Sequence, residues 1–575
     1  MNNLQTNQYT LVGIIYLIFL SLVVTCCLSV DNWQLRENLK WISPLTLEFN
    51  FLLILIGIVI NLELLKKYIN NITKSTWYCL SIIAISGLLL TMFVAPQTHK
   101  IYFDEDIYLN IGQNIACLKK AGMCNDGRVL YDEYTCNRLE YNKEPNAWPY
   151  LLSIMFKIFG TNHVVGYLLN NFFWFLSILT VFFICYTLFK DEKAALFAAL
   201  IISLIPEGII WSNTTAVETS SALFAGIAFL SVVIFVRYPK KEFLFLTSFL
   251  ISFSFQFRPE SILILLPIFL CVLFIVPKEL IKTRTYYFFL LIMILATPHL
   301  IHLYAVKGES WGASGAKFSF SYFYENFIVN FFFYFKNIRF PAIFSYFCCI
   351  GLIVPQIQIE QQKNTYLFYN KEKLAIFVWL LAFWGIFVFF YAGSYNYGAD
   401  VRFSLLSYMP ISILAGFGIS NIQRWFQEKW NIKWINHSII IIILINFISF
   451  IPYIRSVRQE AWGARFDHNY SEIMANKIPA HSIILTHNPT IFLLFGQNAT
   501  QASIALYEED YIKQLFEQYT GGVYFHYNYW CNVDDLQQKA FCQNILNKYY
   551  HSQIMSFSEQ KYKYKLFKLS MKHSN

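Results

Sequence analysis

Residues 163–189 read HVVGYLLNNFFWFLSILTVFFICYTLF, without one Asp, Glu, Lys or Arg. About 20 apolar residues suffice for a helix to cross the hydrocarbon core of a bilayer, so this stretch reads as a membrane span. Twelve further blocks of similar character lie at approximately 9–29, 46–65, 76–95, 193–212, 219–236, 243–257, 261–277, 286–306, 341–356, 374–394, 403–420 and 438–454. The composition agrees: 56% of residues are hydrophobic, 19% aromatic and 14% charged, where a soluble chain carries about 25% charged residues. The first block lacks a basic leader and a small-residue cleavage site, which predicts an uncleaved span. The expected fold class is a polytopic α-helical membrane protein with about 13 transmembrane helices.

The net charge of +9 would suit nucleic acid if the cations formed one surface. Instead they sit in short clusters between apolar blocks, among them Lys66, Lys67 and Lys74; Lys190 and Lys193; Arg237, Lys240 and Lys241; and Lys278, Lys282 and Arg284. Such clusters mark cytoplasmic loops, and a nucleic-acid partner is discounted. A cytoplasmic N-terminus places these loops inside, and an odd number of spans then places the C-terminal segment outside. The expected organisation is a transmembrane domain over 1–454 and an extracytoplasmic α/β domain over 455–575. Within the first lie two outer loops, 96–162 and 307–340. In the tail, Ser482–Leu485, Gly522–Tyr527 and Tyr562–Leu569 read as strands.

In the first outer loop, Ile107, Ile111, Ile115 and Leu118 recur at helical spacing opposite Asp106, Asn110, Asn114 and Lys119. That pattern predicts an amphipathic helix lying on the membrane surface. Trp148–Phe159 is apolar but too short to span and is expected to do the same. The second outer loop opens on a flexible Gly- and Ser-rich run and continues into aromatics, which suits an interfacial lid. Of the 12 cysteines, Cys117, Cys124 and Cys136 share the first loop, and Cys531 and Cys542 share the tail. An oxidising compartment would allow two short-range disulfides. The pairing among the three loop cysteines stays open.

Charges near hydrocarbon are costly and mark function by default. On the predicted topology Asp104, Glu105, Lys143, Glu144, Glu218, Arg258, Glu260, Asp400 and Arg402 all map to the outer face near the headgroups. Converging there, they would form a cleft of mixed charge at a lipid interface. That suits glycosyl transfer from a polyprenyl phosphate. A carboxylate takes the acceptor proton as general base, and cations meet the charge developing on the phosphate. Nothing in this scheme requires a metal. The pair His299 and His302, at i,i+3 spacing near the outer end of a span, is a weak metal candidate without an adjacent carboxylate. Glu218 could also favour a helix N-terminus, Arg258 and Glu260 could form a local ion pair, and Arg402 could snorkel.

Several of these residues also sit in motifs. Phe103-Asp104-Glu105-Asp106-Ile107-Tyr108 resembles the acidic-pair motif of the GT-C glycosyltransferases. Asn142-Lys143-Glu144-Pro145 with Trp148-Pro149-Tyr150 is similar to their Lys-Pro-Pro-aromatic segment. Phe257-Arg258-Pro259-Glu260 resembles an Arg-Pro turn between later spans. Asp400-Val401-Arg402-Phe403, leading to Met409-Pro410, resembles their Arg-Tyr…Pro segment. The pattern is nearest to protein O-mannosyltransferases and lipid A aminoarabinose transferases, and covers roughly 76–454. The resemblance implies a catalytic Asp104, with lipid-phosphate contacts at Lys143 and Arg402. Two departures are that Glu144 replaces the first proline and that two extra spans precede the acidic pair.

The expectation is an inverting, polyprenyl-phosphate-sugar-dependent glycosyltransferase of the bacterial cytoplasmic membrane, with its C-terminal domain periplasmic. Asp104, with Glu105, would be catalytic; Lys143, Arg402 and Arg258 would bind donor phosphate; Glu218, Glu144, Asp400 and Glu260 would position substrate. The acceptor would be a lipid (lipid A-like), a glycan or a protein. The rivals are a flippase for lipid-linked sugars and a structural envelope-assembly subunit. A flippase predicts midplane charges and duplicated halves, and neither stands out here.

Overall fold

The structure is a computed structural model describing residues 3–130, 133–354, 366–396, 398–430, 434–456 and 462–572. Helices run through each of the thirteen expected apolar blocks. Among the described residues, eight are long and apolar enough to cross a membrane, and a bent pair makes a ninth candidate. In that pair, Glu192–Ser203 and Pro206–Ser212 meet at 62°. Pro206 at the first position of the second helix cannot supply the N–H that continuation of the first would need. Three apolar helices are shorter: Ala147–Phe159, Pro259–Ile275 and Ala342–Ile353.

Position in the bundle follows burial. The most apolar window of Gly398–Trp430 is 100% buried, whereas that of Thr10–Ser29 is 6% buried. The first helix therefore hangs on the periphery while Gly398–Trp430 forms the axis. Local signals set the helix starts. Asn162 accepts a hydrogen bond from Val164 N at 2.9 Å to cap His163–Phe189. Asp191 caps the bent pair by accepting from Lys193 N and Ala194 N.

The second helix starts earlier than expected, at Asn32–Ile60. Its charged first turns are paired: Arg36 lies 2.9 Å from Glu309, and Lys40 donates to Leu139 O at 2.7 Å. Those partners let the helix continue past its apolar portion.

Among the described residues, seven strands, numbered β1 to β7 in chain order, form one sheet in the order β2-β1-β4-β3-β5-β7-β6. The tail supplies β3 (Ser482–Thr486), β4 (Asn498–Gln501), β5 (Gly522–Tyr527), β6 (Tyr550–Glu559) and β7 (Tyr562–Ser570). The three expected tail strands are β3, β5 and β7. The first outer loop supplies β1 (Met123–Leu130) and β2 (Glu133–Glu140), an antiparallel hairpin whose Asp126 and Gly127 pair with Thr500 and Ala499 of β4. Cys124–Cys136 staples that hairpin, Cys531–Cys542 ties a turn to helix Leu536–Lys548, and Cys117 is free and exposed.

This sheet overturns the surface-helix expectation for Asp104–Leu118. The helix exists, but its polar stripe is buried instead of solvated. Asn110 Oδ1 accepts from Cys124 N at 2.8 Å, Asn114 Nδ2 donates to Gly122 O at 2.7 Å, and Gln113 Nε2 donates to Leu493 O at 3.2 Å. Buried polar groups need such partners, and the sheet layer provides them. Ala147–Phe159 likewise packs into protein. Trp148 is fully buried and donates through Nε1 to Thr215 O at 2.9 Å.

Candidate active site

A cavity of about 310 Å³ opens where seven chain segments end together. The first turn of Asp104–Leu118 contributes Asp104 and Tyr108, and the turn before Ala147–Phe159 contributes Lys143, Glu144 and Pro145. The turn at 257–260 gives Phe257, Arg258, Pro259 and Glu260. The 3-10 helix Gly398–Ser407 gives Asp400, Arg402 and Phe403. Val217 begins Glu218–Arg237 at the floor. The 307–340 loop adds Trp311 and Phe318, and the chain after Tyr366–Val388 adds Phe390, Tyr391 and Ala392.

Glu218 lies just behind this lining, 1% exposed, and binds the two arginines together. Its Oε1 accepts from Arg402 Nε at 2.9 Å and from Arg258 Nη1. Arg258 also donates to Glu260, and Arg402 lies 3.7 Å from Asp400. Both guanidinium groups approach the Phe403 ring, at 5.0 and 4.6 Å. The sequence offered Glu218 as a substrate-positioning group. The structure uses it to hold the cations that would do that work.

Lys143 is the cation with the loosest pairing, 3.8 Å from Glu144. Burial works against its ammonium, but the neighbouring Asp104 and Glu144 carboxylates outweigh that and raise its pKa. Glu144 is 5% exposed, and burial, reinforced by Asp104, pushes its carboxyl up to about 7 against the opposing pull of Lys143. The Asp104 carboxylate is half-buried, faces the cavity, and accepts no hydrogen bond among the described residues. With acids in excess here, a phosphate gains nothing from general charge. An anion bound here would depend on direct contact with these cations, and a neutral Glu144 would lessen the repulsion.

Three sequence candidates lie elsewhere. Glu105 adjoins Asp104, but successive helical residues point about 100° apart. Its buried carboxylate accepts from Ile101 N at 3.0 Å, Thr215 N at 2.7 Å and Thr215 Oγ1 at 2.9 Å, and from Lys100 N. It is a brace for the entry to the helix and not a cavity group. His299 and His302 stack with ring centroids 5.6 Å apart. The phenol of Tyr141 meets His302 Nδ1 at 2.9 Å, and no carboxylate joins the pair to make a metal site among the described residues. Tyr108, Trp311 and Tyr391 were missed. Tyr108 was readable, four residues from Asp104 on the same helical face.

Residues 143–302 match the family described as dolichyl-phosphate-mannose-protein mannosyltransferase. ArnT from Cupriavidus metallidurans in the apo state aligns with TM-score 0.55 and 11% identity, over 86% of this chain and 98% of that one. The same protein bound to undecaprenyl phosphate gives TM-score 0.53 and 10% identity, over 86% and 98%. The archaeal oligosaccharyltransferase AglB from Archaeoglobus fulgidus, in complex with an inhibitory peptide and a dolichol-phosphate, gives TM-score 0.47 and 11% identity, over 87% and 74%. Among curated proteins, none matches this chain in sequence. The chain is a multi-helix membrane protein with the GT-C fold expected from its motifs.

Proposed function

We propose that this protein is an inverting glycosyltransferase that moves a sugar from a polyprenyl-phosphate donor to a lipid, glycan or protein acceptor at the outer face of the cytoplasmic membrane. The observation that carries it is the single cavity shared by Asp104, Lys143, Arg258 and Arg402, which arrive from four separate segments. Asp104 takes the proton of the acceptor hydroxyl as its oxygen attacks the anomeric carbon. The bond from that carbon to the phosphate oxygen breaks, and the electron pair leaves on the polyprenyl phosphate. Lys143 and Arg402, with Arg258, meet the charge formed there.

Two features support the lipid donor and the outer face. An apolar groove of about 350 Å³ runs among Phe323–Lys336, Ala342–Ile353 and Tyr366–Val388, lined by Phe327, Phe331 and Trp384. The groove is apolar and of a size to take isoprenoid carbons. The two disulfides in the sheet layer suit an oxidising compartment, and the cavity opens at the same end of the bundle.

The test is transfer from radiolabelled polyprenyl-phosphate sugars by purified protein in lipid, with envelope lipids and proteins as acceptors. Wild type should transfer, and a folded Asp104→Asn variant should not. Absence of transfer from every carrier, with lipid-linked sugar crossing vesicle membranes, would make the protein a flippase instead.

A further inference from the structure

Below the cavity, on the other side of the same helical turn, three ligating side chains meet inside the protein. His99 precedes helix Asp104–Leu118, Asp106 lies in its first turn, and His468 comes from Trp462–Ala475 beneath the sheet. They are 2%, 0% and 3% exposed. Their candidate ligand atoms all lie within 4.8 Å of one another. His99 Nδ1 is 3.5 Å from Asp106 Oδ1, His468 Nδ1 is 2.7 Å from the same oxygen, and the imidazole centroids are 3.9 Å apart.

The surroundings fix which face of His99 carries the proton. Thr215 Oγ1 donates to Glu105 Oε2 at 2.9 Å, so its lone pairs remain to accept from His99 Nε2 at 3.3 Å. The proton of a neutral His99 therefore sits on Nε2. Nδ1 then presents a bare lone pair to a carboxylate, and it has no hydrogen-bond partner; nor do Asp106 Oδ2 and His468 Nε2. A lone pair facing an anion at 3.5 Å inside protein is repulsive unless a cation lies between them, either a proton on Nδ1 or a metal ion; a proton there would leave Asp106 Oδ2 and His468 Nε2 without partners, and a metal ion would not. Tetrahedral Zn²⁺ with ligand bonds of about 2.0–2.2 Å separates its ligand atoms by roughly 3.4 Å; His99 and Asp106 stand at 3.5 Å, and the 2.7 Å contact of His468 Nδ1 with Asp106 would open as the ion enters. A ligating histidine whose other nitrogen is held by a polar group is the usual arrangement around such an ion.

We propose that His99, Asp106 and His468 bind a divalent cation, Zn²⁺ by the chemistry of two imidazoles and one carboxylate, and that this ion pins the sheet layer to the turn bearing Asp104. Two imidazoles and one carboxylate suit Zn²⁺ over Mg²⁺ or Ca²⁺, which prefer all-oxygen shells. The ion is structural. It stands behind Asp104, because residues two apart in a helix point to nearly opposite sides. The proposal does not rest on the transferase reading.

Full-length protein, purified without a metal-chelating tag and dialysed, is assayed for metal and titrated with Zn²⁺ and Co²⁺. The expected result is about one Zn²⁺ per chain, with a tetrahedral Co²⁺ absorption spectrum on substitution. His99→Gln and His468→Gln should each lose more than nine-tenths of the bound metal, while His299→Ala keeps it. Chelator should lower the Tm of wild type and leave that of the two metal-site variants unmoved. Wild type that neither retains nor takes up Zn²⁺ overturns the proposal without recourse to any variant. So does metal that survives in a folded His468→Gln protein, or that is lost in His299→Ala.

Discussion

Glu218 and Arg402 come from helices whose sequences lie 184 residues apart, and the carboxylate oxygen that takes the Arg402 Nε hydrogen bond at 2.9 Å also takes Arg258. One acid thus sets the separation of two cations. Glu218→Gln keeps the shape and removes the charge. Breaking a buried ion pair by removing one partner costs about 3–5 kcal/mol, and a cation displaced by about 1 Å can cost about 100-fold in rate. Thermal unfolding together with kcat for transfer checks both. A Glu218→Gln protein of wild-type stability and rate would show that the arginines need no common anchor.

The Lys143 ammonium is the cation least committed to a partner, so it is the one free to follow a phosphate. Lys143→Ala should raise the KM for donor and lower kcat/KM by about 10–100-fold, the scale of one charge-assisted contact of 1.5–3 kcal/mol. Lys143→Arg should recover part of it. Donor titrations of the three proteins decide this.

Glu144 gives the site a pH signature. Its carboxyl titrates at about 7 instead of the ordinary 4.5 because it is buried beside Asp104. Below pH 7 it is neutral; above, it adds a negative charge beside the donor phosphate, so kcat/KM should fall as pH rises through about 7. Glu144→Gln should flatten that limb. The stability linkage has the same sign: a carboxyl with a raised folded pKa stabilises below its unfolded value, and that contribution disappears as pH climbs to about 7. The unfolding free energy of Glu144→Gln relative to wild type should rise in favour of the variant from pH 5 to pH 8, by on the order of 2 kcal/mol, as denaturant titrations at the two pH values would read.

Cysteine chemistry tests the sidedness. Non-reducing peptide mapping should recover Cys124 joined to Cys136 and Cys531 joined to Cys542. Cys117, exposed, should react in intact cells with a membrane-impermeant maleimide. Disappearance of that label in Cys117→Ser places the cavity end of the bundle outside. Label that requires broken cells would invert the topology.

Much of the site could be read in advance because a membrane restricts where polar residues go. Alternating spans put Asp104, Lys143, Arg258 and Arg402 at the same end, and the cavity gathers all four. Sequence periodicity failed where burial was polar. The stripe Asp106, Asn110 and Asn114 looks identical whether it meets water or protein: Cys124 N and Gly122 O are reached only because the chain after the helix folds back on it, and His468 lies 362 residues away. Glu105 was misread for a related reason: neighbours in sequence point about 100° apart on a helix, enough to turn Glu105 out of the cavity that Asp104 faces. Strand β1 escaped notice because its pairing partner in β4 lies some 370 residues downstream.

That last pairing governs how the protein is made. At a ribosome, the hairpin of β1 and β2 emerges before most of the spans, and Cys124 can already find Cys136 across it. Until the final hundred residues arrive, β1 has an open edge towards the absent β4, and the Gln113 amide lacks its partner Leu493 O. An unpaired edge of this kind invites association with other chains. Biogenesis must keep the hairpin apart while nearly all of the membrane bundle is threaded. Nonsense and frameshift lesions late in the chain should therefore yield aggregation or degradation of the entire polypeptide, and not a working bundle that merely lacks its tail.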